Sequence, residues 1–125
     1  METRRSMEEW AWRTWSLLIL AARIRTILTY DDVQELTGMA RVGVGPNNLG
    51  PIAAYCMIND LPVLTSLVVG TDGLPAEDGL MKHIPAEHIP AEQWKCFRTD
   101  WGHMDKPTVE QLRDAYERFG KDAVA

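Results

Sequence analysis

The chain is poor in the residues that metal binding, disulfide frameworks and secretion require. Its 125 residues include two cysteines, Cys56 and Cys96, with no C-x-x-C spacing. Both are therefore expected to be free thiols in a reducing cytoplasm. The three histidines, His83, His88 and His103, are spaced five and fifteen residues apart, which matches no familiar ligand pattern, so no metal site is expected. Long apolar runs are also missing. Trp10 to Leu28 is interrupted by Arg13 and Arg23, whereas a spanning helix needs about 20 apolar residues. Glu8, Glu9 and Arg13 ahead of so brief an apolar run do not suit a signal peptide. A cytoplasmic protein with no membrane contact is expected.

Positive charge is scarce where a nucleic-acid-binding core would need it. The net charge is −5. Residues 1–28 hold five arginines against three glutamates, and residues 81–125 are nearly balanced. Residues 29–80 hold one basic residue, Arg41, against seven acids. A DNA-binding surface normally shows a basic footprint, and the middle of this chain has none.

The helical signals are strong. From Met7 to Leu28 one long helix is expected, with Leu17, Leu20, Ile24, Ile27 and Leu28 on one face and Trp12, Trp15, Leu18 and Ala22 widening the apolar arc. Thr29 suits the N-cap of a short helix, Tyr30 to Thr37, with Asp31 and Asp32 in its first turn and Gly38 as its stop. A glycine-rich connection, Met39 to Pro46, leads to a third helix from about Asn47 to Asn59. Val63 to Val69 is the best strand, and Asp72-Gly73 favours a tight reversal after it. Residues 74–93 contain a short duplication, His83-Ile84-Pro85-Ala86-Glu87 and His88-Ile89-Pro90-Ala91-Glu92. Its two prolines argue for an irregular segment, followed by a short strand at Lys95 to Thr99. Thr108-Val109-Glu110-Gln111 is a capping box that opens a final helix to Phe119, and Gly120 ends it.

Helix, short helix, turn, helix, strand and glycine-containing turn is the order of a winged helix-turn-helix. The expected fold is mostly α with a small β-wing, extended by a long N-terminal helix and a C-terminal helix. A single domain spans 1–125: a helical core and first wing strand over 7–70, a wing turn and irregular segment over 71–106, and a C-terminal helix over 107–120.

Within this frame, "LTYDDVQELTG" (Leu28 to Gly38) and "NDLPVLTSLVVGTDG" (Asn59 to Gly73) resemble the DNA-binding domain of the alkylguanine-DNA alkyltransferases and alkyltransferase-like proteins. Thr29-Tyr30, Gly38, Asn59, Pro62 and Val68-Val69-Gly70 match that family's frame over roughly 45 residues. Where the family carries Pro-Cys-His-Arg, this chain has only Thr65-Ser66-Leu67, two residues shorter. No nucleophile, base or orienting acid stands there, so the resemblance implies a binding scaffold without alkyl transfer. The family's base-extruding arginine falls near Gly50, and only Tyr30 carries over, as a phosphate or backbone contact.

No other constellation supplies chemistry, and no catalytic residue is expected. Cys56 has no basic neighbour in local sequence to activate it. Glu87 and Glu92 share no inferable geometry as a catalytic pair. Gly43 to Gly50, "GVGPNNLG", lacks the Gly-Lys-Ser/Thr of a P-loop, so no cofactor is expected. Asn47 and Asn48 at the third helix can read adenine edges or cap the helix. Candidate nucleic-acid contacts are thus Tyr30, Arg41, Asn47 and Asn48. Trp10, Trp12 and Arg13 form a candidate partner surface, because Trp and Arg are enriched at binding hot spots.

Two functions fit. One is a non-enzymatic winged-helix module that recognises or regulates nucleic acid, drawing on Arg41, the N-terminal arginines, Lys82, Lys95 and Arg98 through a monomer or homodimer. The alternative is a small acidic adaptor or inhibitor, of the kind phages encode, that blocks a nucleic-acid-handling protein complex.

Overall fold

A computed structural model describes residues 6–39, 49–75 and 83–119. The described chain is mostly helical: α1 (Met7–Arg23), α2 (Tyr30–Thr37), α3 (Gly50–Ile58), α4 (Ile89–Arg98) and α5 (Val109–Phe119). Two short strands, β1 (Leu28–Thr29) and β2 (Val68–Val69), complete it. No described helix is long and apolar enough to cross a membrane.

The start of α1 is closed by a capping box. The Ser6 side chain accepts from the Glu9 amide, and the Glu9 carboxylate accepts from the Ser6 amide. Its buried stripe is Trp10, Ala11, Thr14, Trp15, Leu18, Ala21 and Ala22. This corrects the face expected from sequence, since Leu20, Ile24 and Ile27 are exposed. Both faces of α1 are apolar at helical spacing, and the small alanines decide between them by letting neighbouring elements approach closely.

The end of α1 is also earlier than expected. The Thr26 amide bonds the Ala21 carbonyl at 2.9 Å and the Arg25 amide bonds that of Ala22 at 3.2 Å. This is a Schellman turn with Arg25 at the left-handed position, φ 55°. It frees Leu28 and Thr29 to pair as β1 with β2, in parallel, Leu28 opposite Val68 and Thr29 opposite Val69. α2 starts and stops as expected, with Thr29 and Asp32 in a reciprocal cap and Gly38 at φ 86°.

The expected strand over Val63 to Val69 is only partly a strand. Leu64–Leu67 is a 3-10 turn, and Val68–Val69 alone is extended. Its β-branched residues bury in the core instead of lining a sheet face. Gly70 to Leu74 closes the expected reversal, with Gly73 at φ 79° and the Gly70 amide bonded to the Leu74 carbonyl at 2.9 Å.

The irregular segment is corrected from Ala86 to Gln93, and the short strand at Lys95 to Thr99 is corrected as well, while 76–82 lie outside the described residues. Ala86–His88 is a 3-10 turn that runs into α4. Pro90 lies in the first turn of α4, where a missing amide proton costs nothing, so the two prolines mark a helix start instead of forbidding a helix.

α3 lies at the centre. It contains no charged residue, and Gly50, Pro51, Ile52, Ala53, Ala54 and Cys56 are buried. α1, α5 and the 3-10 turn at Leu64–Leu67 pack around it. α5 crosses closely at Gly50, where an added Cβ would sit 2.7 Å from Cε1 of Tyr116. Thr108 and Gln111 cap α5 reciprocally, as the sequence predicts.

Gly50→Ala is therefore expected to destabilise the fold by about 1–3 kcal/mol through overpacking, measured by urea unfolding. Combined with Tyr116→Leu, the loss should be smaller than the sum of the two single losses. Additive losses would mean that the ring is not the obstacle.

Candidate functional site

Polar side chains in the interior hold α4 against the 3-10 turn. The Glu92 carboxylate accepts from the Val63 amide at 2.8 Å, and the Gln93 side-chain amide donates to the Ser66 carbonyl at 2.8 Å. The Cys96 thiol donates to the Val63 carbonyl at 3.4 Å and lies 3.8 Å from the Ser66 hydroxyl. These bonds satisfy backbone groups that a longer strand would have paired in a ladder. Glu92 thus serves the backbone, while Glu87 is exposed.

Both cysteines are buried. Burial pushes each thiol up to about 12, only partly offset at Cys56 by a hydrogen bond with the Leu64 backbone and at Cys96 by Ser66. A thiol held protonated is a poor nucleophile and a poor ligand. His103 is exposed and pairs with Asp100 at 2.9 Å. Among the described residues, no three His, Cys, Asp or Glu residues cluster to hold a metal ion.

The sequence-derived contact residues separate. Tyr30 is half-buried and packs against the main core, its ring beside Gly70. Arg41, Asn47 and Asn48 lie outside the described residues. Trp10 is 4% exposed and belongs to the core. Trp12 remains on the surface, with the Lys106 ammonium 3.4 Å from its ring centroid. Arg13 donates to the Thr37 carbonyl at 3.0 Å and so ties α1 to the end of α2. α3 offers Tyr55, Met57 and Ile58 as its half-buried residues and no charged group for a base edge or phosphate.

The structure brings together a set that includes two of the expected basic residues, Lys95 and Arg98, and adds Trp94. Arg25, at the left-handed corner after α1, holds its guanidinium 5.2 Å from the ring centroid of Trp94 on α4. Trp94 is 48% exposed, and Phe97 meets it edge-on at 6.4 Å. Arg98 lies one turn further along the same face of α4, and Lys95 is its exposed neighbour, 3.7 Å from Glu92. Residues 69 positions apart in sequence thus form one aromatic and basic edge.

Comparison of the chain with family models, with curated proteins and with solved structures finds no match. The candidate site therefore stands on geometry alone.

Two surface grooves accompany this edge. One, of about 180 Å³, is lined by Trp15, Ser16, Ile19, Trp101, Met104 and Lys106, with Asp105 at its rim. Lys106 donates to the Ser16 hydroxyl at 2.9 Å, and partial burial lowers the pKa of its ammonium. The other, of about 360 Å³, is lined by Pro62, Val63, Glu92 and Lys95 among others. Sequence reading missed Trp94, because the segment around it was expected to be irregular. The i,i+4 spacing of Trp94 and Arg98 was the available signal.

The thiols give a test with a defined sign. In the unfolded chain a thiol ionises near its ordinary value of 9.0, while the folded protein keeps it protonated to about 12. Stability from this source is complete below pH 9 and falls as pH rises from 9 towards 12. The folded protein is expected to leave both thiols unreacted with a disulfide reagent at pH 8 and to release two equivalents in denaturant. Between pH 9 and 11 the parent should lose more unfolding free energy than a Cys56→Ala/Cys96→Ala variant.

Proposed function

We propose that the chain is a non-enzymatic nucleic-acid-binding module, a variant of the winged helix-turn-helix whose contact surface is the Arg25–Trp94–Arg98 edge. The order α1, α2, α3, then β2 and a turn at Gly70 to Leu74, supports the scaffold. The observation that carries the function is Arg25. A helix that ends in a Schellman turn ordinarily places glycine at the left-handed position, because a side chain there costs about 1 kcal/mol. This chain keeps an arginine there, φ 55°, and aims its guanidinium at an exposed tryptophan. Strained positions of this kind concentrate at functional sites.

The chemistry of the edge suits an unstacked base beside a phosphate. An exposed indole offers a stacking face to a base, and the Arg25 guanidinium at the ring, with Arg98 one turn along α4, supplies positive charge for the backbone. α3 is apolar and wrapped, so sequence reading in a major groove is not assigned to it. The reading is shape- and charge-based binding of single-stranded or distorted nucleic acid, at modest affinity given the net charge of −5.

A second reading has one observation in its favour. The outer face of α2 exposes Asp31, Asp32, Glu35 and Leu36, a surface suited to the basic channel of a nucleic-acid-handling protein.

Fluorescence anisotropy of a labelled single-stranded oligonucleotide, at about 50 and 200 mM salt, tests both. Affinity should fall steeply with salt. Trp94→Ala should weaken binding roughly 5- to 100-fold, the range for one lost base stack. Arg25→Gly should weaken it as well while leaving stability within about 1 kcal/mol of the parent, because relief of the backbone offsets the lost ring contact. A dissociation constant above roughly 100 μM at the lower salt, or one insensitive to salt, overturns the nucleic-acid reading and leaves the acidic face of α2 as the site.

A further inference from the structure

The outer face of α1 stays exposed to solvent, although Lys106 rests on Trp12 and bonds Ser16. Glu9, Trp12, Ser16, Leu20 and Arg23 are all exposed, with Leu20 at 53% and Trp12 at 42%. Glu9, Ser16 and Arg23 are seven residues apart and run along one line of the helix. Trp12, Ser16 and Leu20 are four apart and form a second line that crosses the first at Ser16. The pattern is symmetric about Ser16: an acid seven residues before it and a base seven after, an indole four before it and a leucine four after.

An isologous two-fold contact requires that residue i meet residue j while j meets i. We propose that two copies of this chain pair through α1, antiparallel, with the two-fold axis at Ser16. Trp12 of each copy then packs on Leu20 of the other, and Glu9 of each faces Arg23 of the other. The small Ser16 at the crossing allows the helices to approach to 8–10 Å. The charges select the direction. A parallel pair in the same register would set Glu9 against Glu9 and Arg23 against Arg23, whereas the antiparallel pair matches opposite charges at both ends. Such rim pairs add little affinity and mainly fix orientation.

The surroundings of the stripe fit this occupant. Glu9 is already fixed by its capping hydrogen bond from the Ser6 amide at 3.0 Å, so its carboxylate is placed before a second copy arrives. Lys106 covers one side of Trp12 and anchors to Ser16, which orders the ring. The groove lined by Trp15, Ser16, Ile19 and Met104 opens directly beside the crossing and is of a size to take one aliphatic side chain of the second copy. The nucleic-acid edge lies beyond the end of the stripe, at Arg25 and Trp94, so this inference does not rest on the proposed function.

Disulfide trapping with sedimentation velocity tests it on the full chain. Ser16→Cys should form a dimer with itself under mild oxidation, because the axis brings the two positions within disulfide reach. A mixture of Glu9→Cys and Arg23→Cys chains should cross-link to each other far more than either does to itself. The native thiols are buried and do not compete. Without cross-links, the parent should dimerise between roughly 10 and 500 μM, and Leu20→Lys should weaken association at least tenfold while keeping the parent's thermal midpoint. A parent that stays monomeric up to about 500 μM overturns the proposal. So does a dimer that Leu20→Lys leaves intact, or one in which Glu9→Cys links to itself. Oligonucleotide binding by Leu20→Lys monomers reports separately on the nucleic-acid reading.

Discussion

The constraint on which the structure depends is the composition of α3. A nine-residue helix with no charged side chain has no face to offer to water, so it must be surrounded. α1 covers one side with its alanines, α5 lies across the start at Gly50, and the turn at Leu64–Leu67 closes a third. Once α3 is central, α1 has already chosen its buried stripe, and the opposite stripe, with Leu20 and Ile24, is left outside. The described part of this helix is a packing element, wrapped on three sides and without a charged group.

Chain reversals in this protein rest on side chains and on left-handed corners more than on sheet. β1 and β2 contribute two residues each, too few to hold the segment from Val63 to Val69. Glu92, Gln93 and Cys96 of α4 supply the missing hydrogen bonds to Val63 and Ser66. α1 and α3 each end in a Schellman turn with a non-glycine residue at the left-handed corner, Arg25 and Asp60, both at φ 55°. At Arg25 the corner also directs the side chain, since the guanidinium lies over Trp94 of α4. A local backbone cost is thereby linked to a surface assembled from two distant segments.

Capping chemistry was legible in the sequence because it is local. Thr29 with Asp32, Gly38, and Thr108 with Gln111 were each readable from spacing alone; the short helix begins and ends, and the final helix begins, where those residues place them, and Gly120 lies outside the described residues. Pro90 was misread because a proline forbids a helix interior but favours a helix start, and only the following ten residues show which applies. Val63 to Val69 was misread because branched residues fit a buried turn as well as a strand, and the partner that decides is thirty residues away on α4. Of the candidate surface residues, Trp12 stayed outside and Trp10 went in, because two positions along a helix differ by about 200° and so lie on nearly opposite sides.

The sequence by itself determined the helical character of the chain, the caps and the acidic centre. Each follows from residue type and near neighbours. Only the tertiary structure decided which of two apolar faces of α1 is buried, that α3 lies in the core, and that Arg25 meets Trp94. Those outcomes depend on contacts between residues far apart in the chain, where the energy of packing one element against another overrides local preference.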